Sequence, residues 1–363
     1  FVLGEVFTLS EQDIEYLDIY EEIARGIRNE QFQPHALLPS EHELTSMYET
    51  SRETIRKAHP YLKVEAGIAT LGPGDIQISS PLILPADTSL TIAAGTTLQL
   101  DPSVFLLVRG SLQMPGTKDS PIRLLPTRGT WRGLAVFGSG KASEWTHVQI
   151  QGTNGLEYGP WKPTGSVMFY ESKVTWSHCS IHDSESEDAI NLVKSDFDFT
   201  DVNVGRASSG AIDLDFCKGT IRGGSIHQTK GNGLDISNTS IRVHGTTFER
   251  IEGSALSVGE RSQLQASEVS IRDCGTGIAS KDDSVTNIED SSLHKLKHAG
   301  VMAYTHKPEF GGARIETRNL QIKNTKHRYI AQHDSEIQVD GKKLETVPLN
   351  VEEFYSSGHL KKQ

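Results

Sequence analysis

The chain has 363 residues, a net charge of −11 and a hydrophobic fraction of 36%. That acidic balance argues against a general attraction to nucleic acid or an anionic membrane, and no apolar run is long enough to span a bilayer. With 33 Gly but only 12 Phe and 4 Trp, the composition suits a thin, elongated core better than a large globular one.

Residues 1–62 read as helical. Ile14, Leu17, Tyr20, Ile23 and Ile27 recur at helical spacing. Ser40 with Glu43 makes a capping box, and residues 51–58 form a third helical stretch stopped near Pro60. The runs DIYEEIA at 18–24, LLPSEHEL at 37–44 and YETSRETIRKA at 48–58 resemble the helix-turn-helix half of GntR-type repressors. The resemblance implies a recognition helix in the major groove, with Ser51, Arg52, Thr54 and Arg56 facing DNA. Two features depart from that pattern. The stretch Leu71-Gly72-Pro73-Gly74-Asp75, where a basic wing is expected, has no Lys or Arg. Residues 1–64 also hold 12 Asp/Glu against 6 Lys/Arg, a poor surface for phosphate. A helical cap over the first coil of a solenoid is the other reading.

From about Val64 the pattern turns to short strands, among them LTI, LQL and FLLV between Leu90 and Val108. The insertion 152–165, rich in Gly, Pro and aromatics, reads as a loop leaning over one face. From Ala189 to Ala299 the sequence repeats every 22 residues, with one row a residue longer. One column holds Ile190, Ile212, Leu234, Leu256 and Ile278, and another Leu192, Leu214, Ile236, Val258 and Ser280. Between them lie Asn191, Asp213, Asp235, Ser257 and Ala279. A fixed period of this length with strand alternation inside each row predicts a parallel β-helix. The β-helix is expected over residues 63–325, and at that period the stretch from 82 to about 325 makes about eleven coils. Residues 326–363 read as a C-terminal cap and tail, with a hairpin at Asp340-Gly341. Cys179, Cys217 and Cys274 fall in different columns and read as core thiols.

The phrases AIDLDFCKGTI, GNGLDIS, ALSVGERS, GIASKDDS and AYTHKPEFGGARI, with the lead-in from Pro81 to Leu112, resemble a bacterial family of right-handed, pectate-lyase-like β-helix proteins found beside CotH-like proteins. The resemblance covers about residues 64–325 and implies a right-handed solenoid at or beyond the cell envelope.

Chemistry concentrates on one outward column. Asp213 and Asp235 lie 22 residues apart, hence about one coil spacing of ~4.8 Å in space. Asp215 faces the same side, and Glu260, Lys281, Asp282 and Asp283 follow lower in the stack. Paired carboxylates can divide into acid and base, making Asp213 and Asp235 candidate catalytic groups with Lys281 as a base. Asp213, Asp215, Asp235 and Glu260 could instead hold Ca²⁺, the one cofactor this pattern suggests. With Ca²⁺ on a uronate and Lys281 taking the α-proton, the ladder would act as a polysaccharide lyase. Asp can equally punctuate turns with no ligand, and the Gly-His-Gly and Arg-Ile-Lys motifs of polygalacturonases are missing. Tyr158, Trp161 and Tyr304 are candidate sugar contacts, as are Phe169, Tyr170 and Trp176. The pairs His178/His182 and His294/His298 have the i,i+4 spacing of a helical zinc site but lie in strand rows. Three functions remain open: binding or cleavage of an acidic extracellular polysaccharide, an inert envelope scaffold, or a cytoplasmic regulator that reads DNA through 18–58.

Overall fold

A row that cannot bury its own apolar stripe must stack on its neighbours, and the rows here do so by parallel pairing. A computed structural model describes residues 62–351 and 353, apart from 66, 85–87, 139 and 158–161. The helical expectation for 1–62, including Ser51, Arg52, Thr54 and Arg56, therefore lies outside the described residues except at Leu62, which opens a strand. Tyr158 and Trp161 also lie outside them.

Each coil contributes three strands, to three parallel faces that wrap one long core. The first face runs from Ile68–Leu71 to Glu336–Val339. The second runs from Gly74–Ile78 and the third from Leu82–Ile83. Near the C-terminal end the strands Ser292–Tyr304 and Gln321–Ala331 pass through both the second and third faces, with a register shift between Leu296 and Ala299. The stack contains about eleven coils.

The column read from the sequence is the core column of the third face. Ile190, Ile212, Leu234, Leu256, Ile278 and Val301 are in register and buried. On that face the 22-residue period holds from Asp188 to Thr276. On the first face Ser240 pairs with Gln263, and on the second Thr247 pairs with Ser270, each a step of 23. The extra residue sits at the corner after Gly259, where both Glu260 and Arg261 take positive φ, 34° and 58°. The preceding coils turn that corner with one such residue, Phe216 and then Asn238.

Inside the first face, Trp145, Trp176 and Phe199 stack with centroid distances of 4.3 and 4.6 Å, and Phe169 meets Trp176 edge-on. Phe169 and Trp176 are thus core residues, not sugar platforms. The three cysteines are buried and unpaired in disulfides, and burial pushes Cys179 and Cys217 up to about 12. Cys217 belongs to a corner ladder in which its N–H donates to Thr239 Oγ1 and the Thr239 N–H to Ser262 Oγ. The solenoid extends past 325: Glu336–Val339 adds a last parallel strand, and Asp340-Gly341 then turns the expected hairpin into Lys342–Lys343.

Leu214 is fully buried in the column beside Ile212. Leu214→Ala should lower unfolding stability by about 2–5 kcal/mol, read as a lower urea midpoint with unchanged far-UV dichroism.

Candidate functional site: an acidic cleft on the third face

Outward positions of the third face form two columns. The first runs Ile83, Leu107, Ala135, Met168, Asn191, Asp213, Asp235, Ser257, Ala279, Met302, Ile330. It is polar only over four central coils. The second runs Phe137, Tyr170, Val193, Asp215, Ser237, Gly259, with Lys281 over Tyr304 further on. The central polar window is a cleft of about 470 Å³.

Asp213, Asp215 and Asp235 all line it, as their spacing predicted, and Glu260, His306 and Lys307 form one end. The other end carries Asp188, which the sequence reading passed over because it precedes the repeat row by one residue. Gly210, its register partner, makes room for it: a Cβ there would stand 2.2 Å from Asp188 Oδ1. Likewise, a Cβ on Gly165 would fall 2.5 Å from the Asn191 Cβ. Asn191 Nδ2 donates to Asp213 Oδ2 at 3.0 Å, and Asn232 Nδ2 to Asp235 Oδ2 at 2.8 Å.

Burial and mutual repulsion raise the carboxylates. Asp188 rises to about 7 through burial, then Glu187 and Asp235, against a hydrogen bond from Thr164. Asp215 rises to about 7 through burial, then Asp235 and Glu260, with Lys307 and Asn191 acting the other way. Asp213 is pushed well above the usual carboxylate range by burial and by Asp215, Asp188 and Asp235. Glu260 is the exception. Burial alone would raise it, but hydrogen bonds from Lys307 and Ser237 and the charge of Lys281 outweigh that and hold it low. Lys307 Nζ lies 2.6 Å from Glu260 Oε1.

Asp282 and Asp283 do not enter the cleft. Asp282, fully buried, accepts the His306 and Lys307 backbone N–H groups at 2.7 and 2.9 Å on Oδ1. Asp283 Oδ1 accepts the Gly311 N–H at 3.0 Å. These two carboxylates anchor the turn that delivers Lys307 to Glu260. Backbone-satisfied Asp is thus a turn device here, whereas Asp213 and Asp235 are met by amide side chains.

Two expectations need correction, those for Lys281 and Tyr304. Lys281 is 2% exposed and does not line the cleft; its stem lies across Gly259, 3.0 Å from where a Cβ would be. It acts on Glu260 and His306 as a buried charge and is not placed to take a substrate proton. Tyr304 is 1% exposed, packed with Met302 and Ile330 beneath Leu349 and Val351, and offers no ring face to a sugar. The four residues read as Ca²⁺ ligands, Asp213, Asp215, Asp235 and Glu260, all line the cleft; among the described residues no group of three His, Cys, Asp or Glu side chains is placed to hold a metal ion. Of the i,i+4 histidines, His178 stacks on His147 and His182 tilts against His227.

Residues 164–315 match the family model described as "Right handed beta helix region". The matched stretch lies within the parallel solenoid. Residues 15–73 match "Bacterial regulatory proteins, gntR family". A stretch of 43 residues is 51% identical to the HTH-type transcriptional regulator TreR of Bacillus subtilis (strain 168), covering 12% of this chain and 18% of that regulator. Among solved structures, the catalytic unit of a thermostable GH87 alpha-1,3-glucanase from Streptomyces thermodiastaticus strain HF3-3 superposes with a TM-score of 0.38 at 10% identity. That match covers 80% of this chain and 64% of the glucanase unit. A mutant of the periplasmic alginate epimerase AlgG gives 0.36 at 12% identity, over 79% of this chain and 82% of the epimerase. No helix among the described residues of this β-helix is long and apolar enough to cross a membrane.

Because Asp188 and Asp215 keep their protons in the folded cleft to about 7 but release them near 3.8 when unfolded, their contribution to stability is full below about pH 4 and lost as pH rises through 7. Asp188→Asn and Asp215→Asn should therefore gain stability relative to the parent at about pH 7.5 more than at about pH 4.5, measured by urea midpoints.

Proposed function

We propose that the cleft binds a carbohydrate chain and hydrolyses a glycosidic bond by general acid–base catalysis. The observation that carries this reading is the gathering of Asp188, Asp213, Asp215 and Asp235 in one cleft, with Asp188 and Asp215 raised to about 7. Glycoside hydrolysis needs one carboxyl that is protonated near neutral pH to protonate the leaving oxygen, and a second carboxylate to activate water or attack the sugar. Asp188 or Asp215 supplies the proton, and Asp235, oriented by Asn232, is the partner carboxylate.

The lining also bears on substrate charge. Acidic side chains outnumber the one lining lysine, Lys307, which is already paired to Glu260. A polyuronate would be repelled, so a neutral, hydroxyl-rich glycan fits better than the acidic one expected from sequence. A polymeric substrate of that kind puts the activity at or outside the cell envelope. Reducing-end release from a panel of neutral and acidic polysaccharides, with and without chelator, tests the reading. The expected result is chelator-resistant release from a neutral polymer, with a loss of about 10²–10⁴-fold in Asp215→Asn and Asp235→Asn. Unsaturated uronate products would instead establish a lyase.

A second reading rests on the 51% identity to the TreR segment. Here residues 15–73 bind duplex DNA and the solenoid is the partner domain. Anisotropy titrations should then show binding that weakens with salt, log K falling by about 0.9 per phosphate contact against log salt. Arg52→Ala and Arg56→Ala should weaken it further; no binding at low salt would remove this reading.

A further inference from the structure

A residue with a Cβ enters the left-handed backbone region against steric resistance, and short polar side chains tolerate it best. The solenoid places such residues at its corners. Among the described residues, the non-glycine positions at positive φ are filled by Asp, Asn, Glu, Gln, His, Lys and Arg, with a single apolar exception, Phe216 at φ 55°. An aromatic side chain is poorly suited to that conformation. Solvation adds to the disadvantage. Phe216 is 50% exposed, the one Phe, Tyr or Trp among the described residues whose ring is turned to solvent to that extent. Packing of the exposed half does nothing to offset either cost.

The corner itself suggests what does. Phe216 directly follows Asp215 at the end of the strand Gly210–Asp215. One coil on, the same corner carries Asn238, and two coils on Glu260, both also at positive φ. The stacking is direct: the Phe216 N–H donates to the Ser237 carbonyl at 3.0 Å, and the Asn238 N–H to the Glu260 carbonyl at 2.9 Å. Asp215, Asn238 and Glu260 all line the acidic cleft. Phe216 therefore stands at its rim, in the coil of Asp213 and Asp215 and one coil from Asp235. Phe310, in the turn that closes the far end, is by contrast covered by the Arg261 guanidinium, 5.3 Å from its centroid.

A pyranose ring has a face of C–H groups and an edge of hydroxyls. An aromatic ring takes the first by dispersion and burial of apolar surface, while carboxylates and amides take the second. Both kinds of group are adjacent here. We propose that Phe216 is a stacking platform of the cleft, holding a neutral pyranose unit of the glycan at the level of Asp213 and Asp215. The proposal rests on the cleft being a carbohydrate site, but not on hydrolysis there. A conformationally costly residue kept at a binding rim is where local strain is expected to serve function.

Affinity electrophoresis of the full chain, in native gels cast with linear glucans, a mannan or a polyuronate, reads binding without turnover. A neutral polymer should retard the parent. Phe216→Asn separates binding from folding, because Asn suits positive φ. Its urea midpoint should equal or exceed the parent's, while its apparent Kd for the neutral polymer rises about 10-fold. Phe216→Tyr, which keeps the ring, should bind within about 3-fold of the parent. Equal retardation of parent and Phe216→Asn, a loss in Phe216→Tyr as large as in Phe216→Asn, or a parent that no neutral polymer retards would each overturn the proposal. Reducing-end release from the same proteins keeps the two readings apart. Polymer bound through Phe216 yet left uncleaved removes hydrolysis and leaves the platform; release with an unchanged KM in Phe216→Asn keeps hydrolysis and removes the platform.

Discussion

Parallel register is the constraint from which everything else in this molecule follows. Once Ile190 lies on Ile212 and Ile212 on Leu234, every residue between them is fixed to within a coil spacing of about 4.8 Å. A slip by one residue would turn the apolar column to solvent and the carboxylates into the core. The buried column therefore positions the acidic cleft, and Ile212 of that column reaches its lining.

That same register forces like charges together, and the cleft shows how the cost is managed. Asn191 and Asn232 donate to Asp213 and Asp235, while Asp188 and Asp215 remain protonated up to about 7 and so avoid full mutual repulsion. Glu260 takes the other course and stays ionised against Lys307. One cleft thus holds proton-bearing and ionised carboxyls side by side, which is the condition for acid–base division of labour. Glycines contribute by what they omit, since Gly210 and Gly165 leave the volume that Asp188 and Asn191 occupy.

The extra residue at the Glu260–Arg261 corner has a functional consequence. It shifts the first and second faces by one residue and leaves the third in step. The cleft columns are undisturbed, yet Glu260 is placed at their rim. In the next coil Asp282 and Asp283, both at positive φ, receive the 305–312 turn and so bring Lys307 across to Glu260. An insertion in one corner and a pair of anchors in the next together close one end of the cleft.

How far the sequence reached depended on whether a feature was periodic. The apolar columns, the parallel β-helix and the alignment of Asp213, Asp215 and Asp235 on one face all follow from a 22-residue period with strand alternation, because stacking converts sequence spacing directly into spatial neighbours. Non-periodic features were not legible in that way. Asp188 lies just outside the repeated row, and its place in the cleft depends on Gly210 lacking a side chain. Lys281 was lost as a substrate contact through its burial across Gly259, and Tyr304 through packing by the C-terminal continuation, Leu349 and Val351. Likewise, Asp282 and Asp283 are of the same residue type as the cleft aspartates, but their oxygens face backbone amides of a turn 24 to 28 residues later. Sequence determined which residues share a face; only the tertiary structure decided which of them water and a ligand can reach, because exposure depends on what packs over a column and not on the column itself.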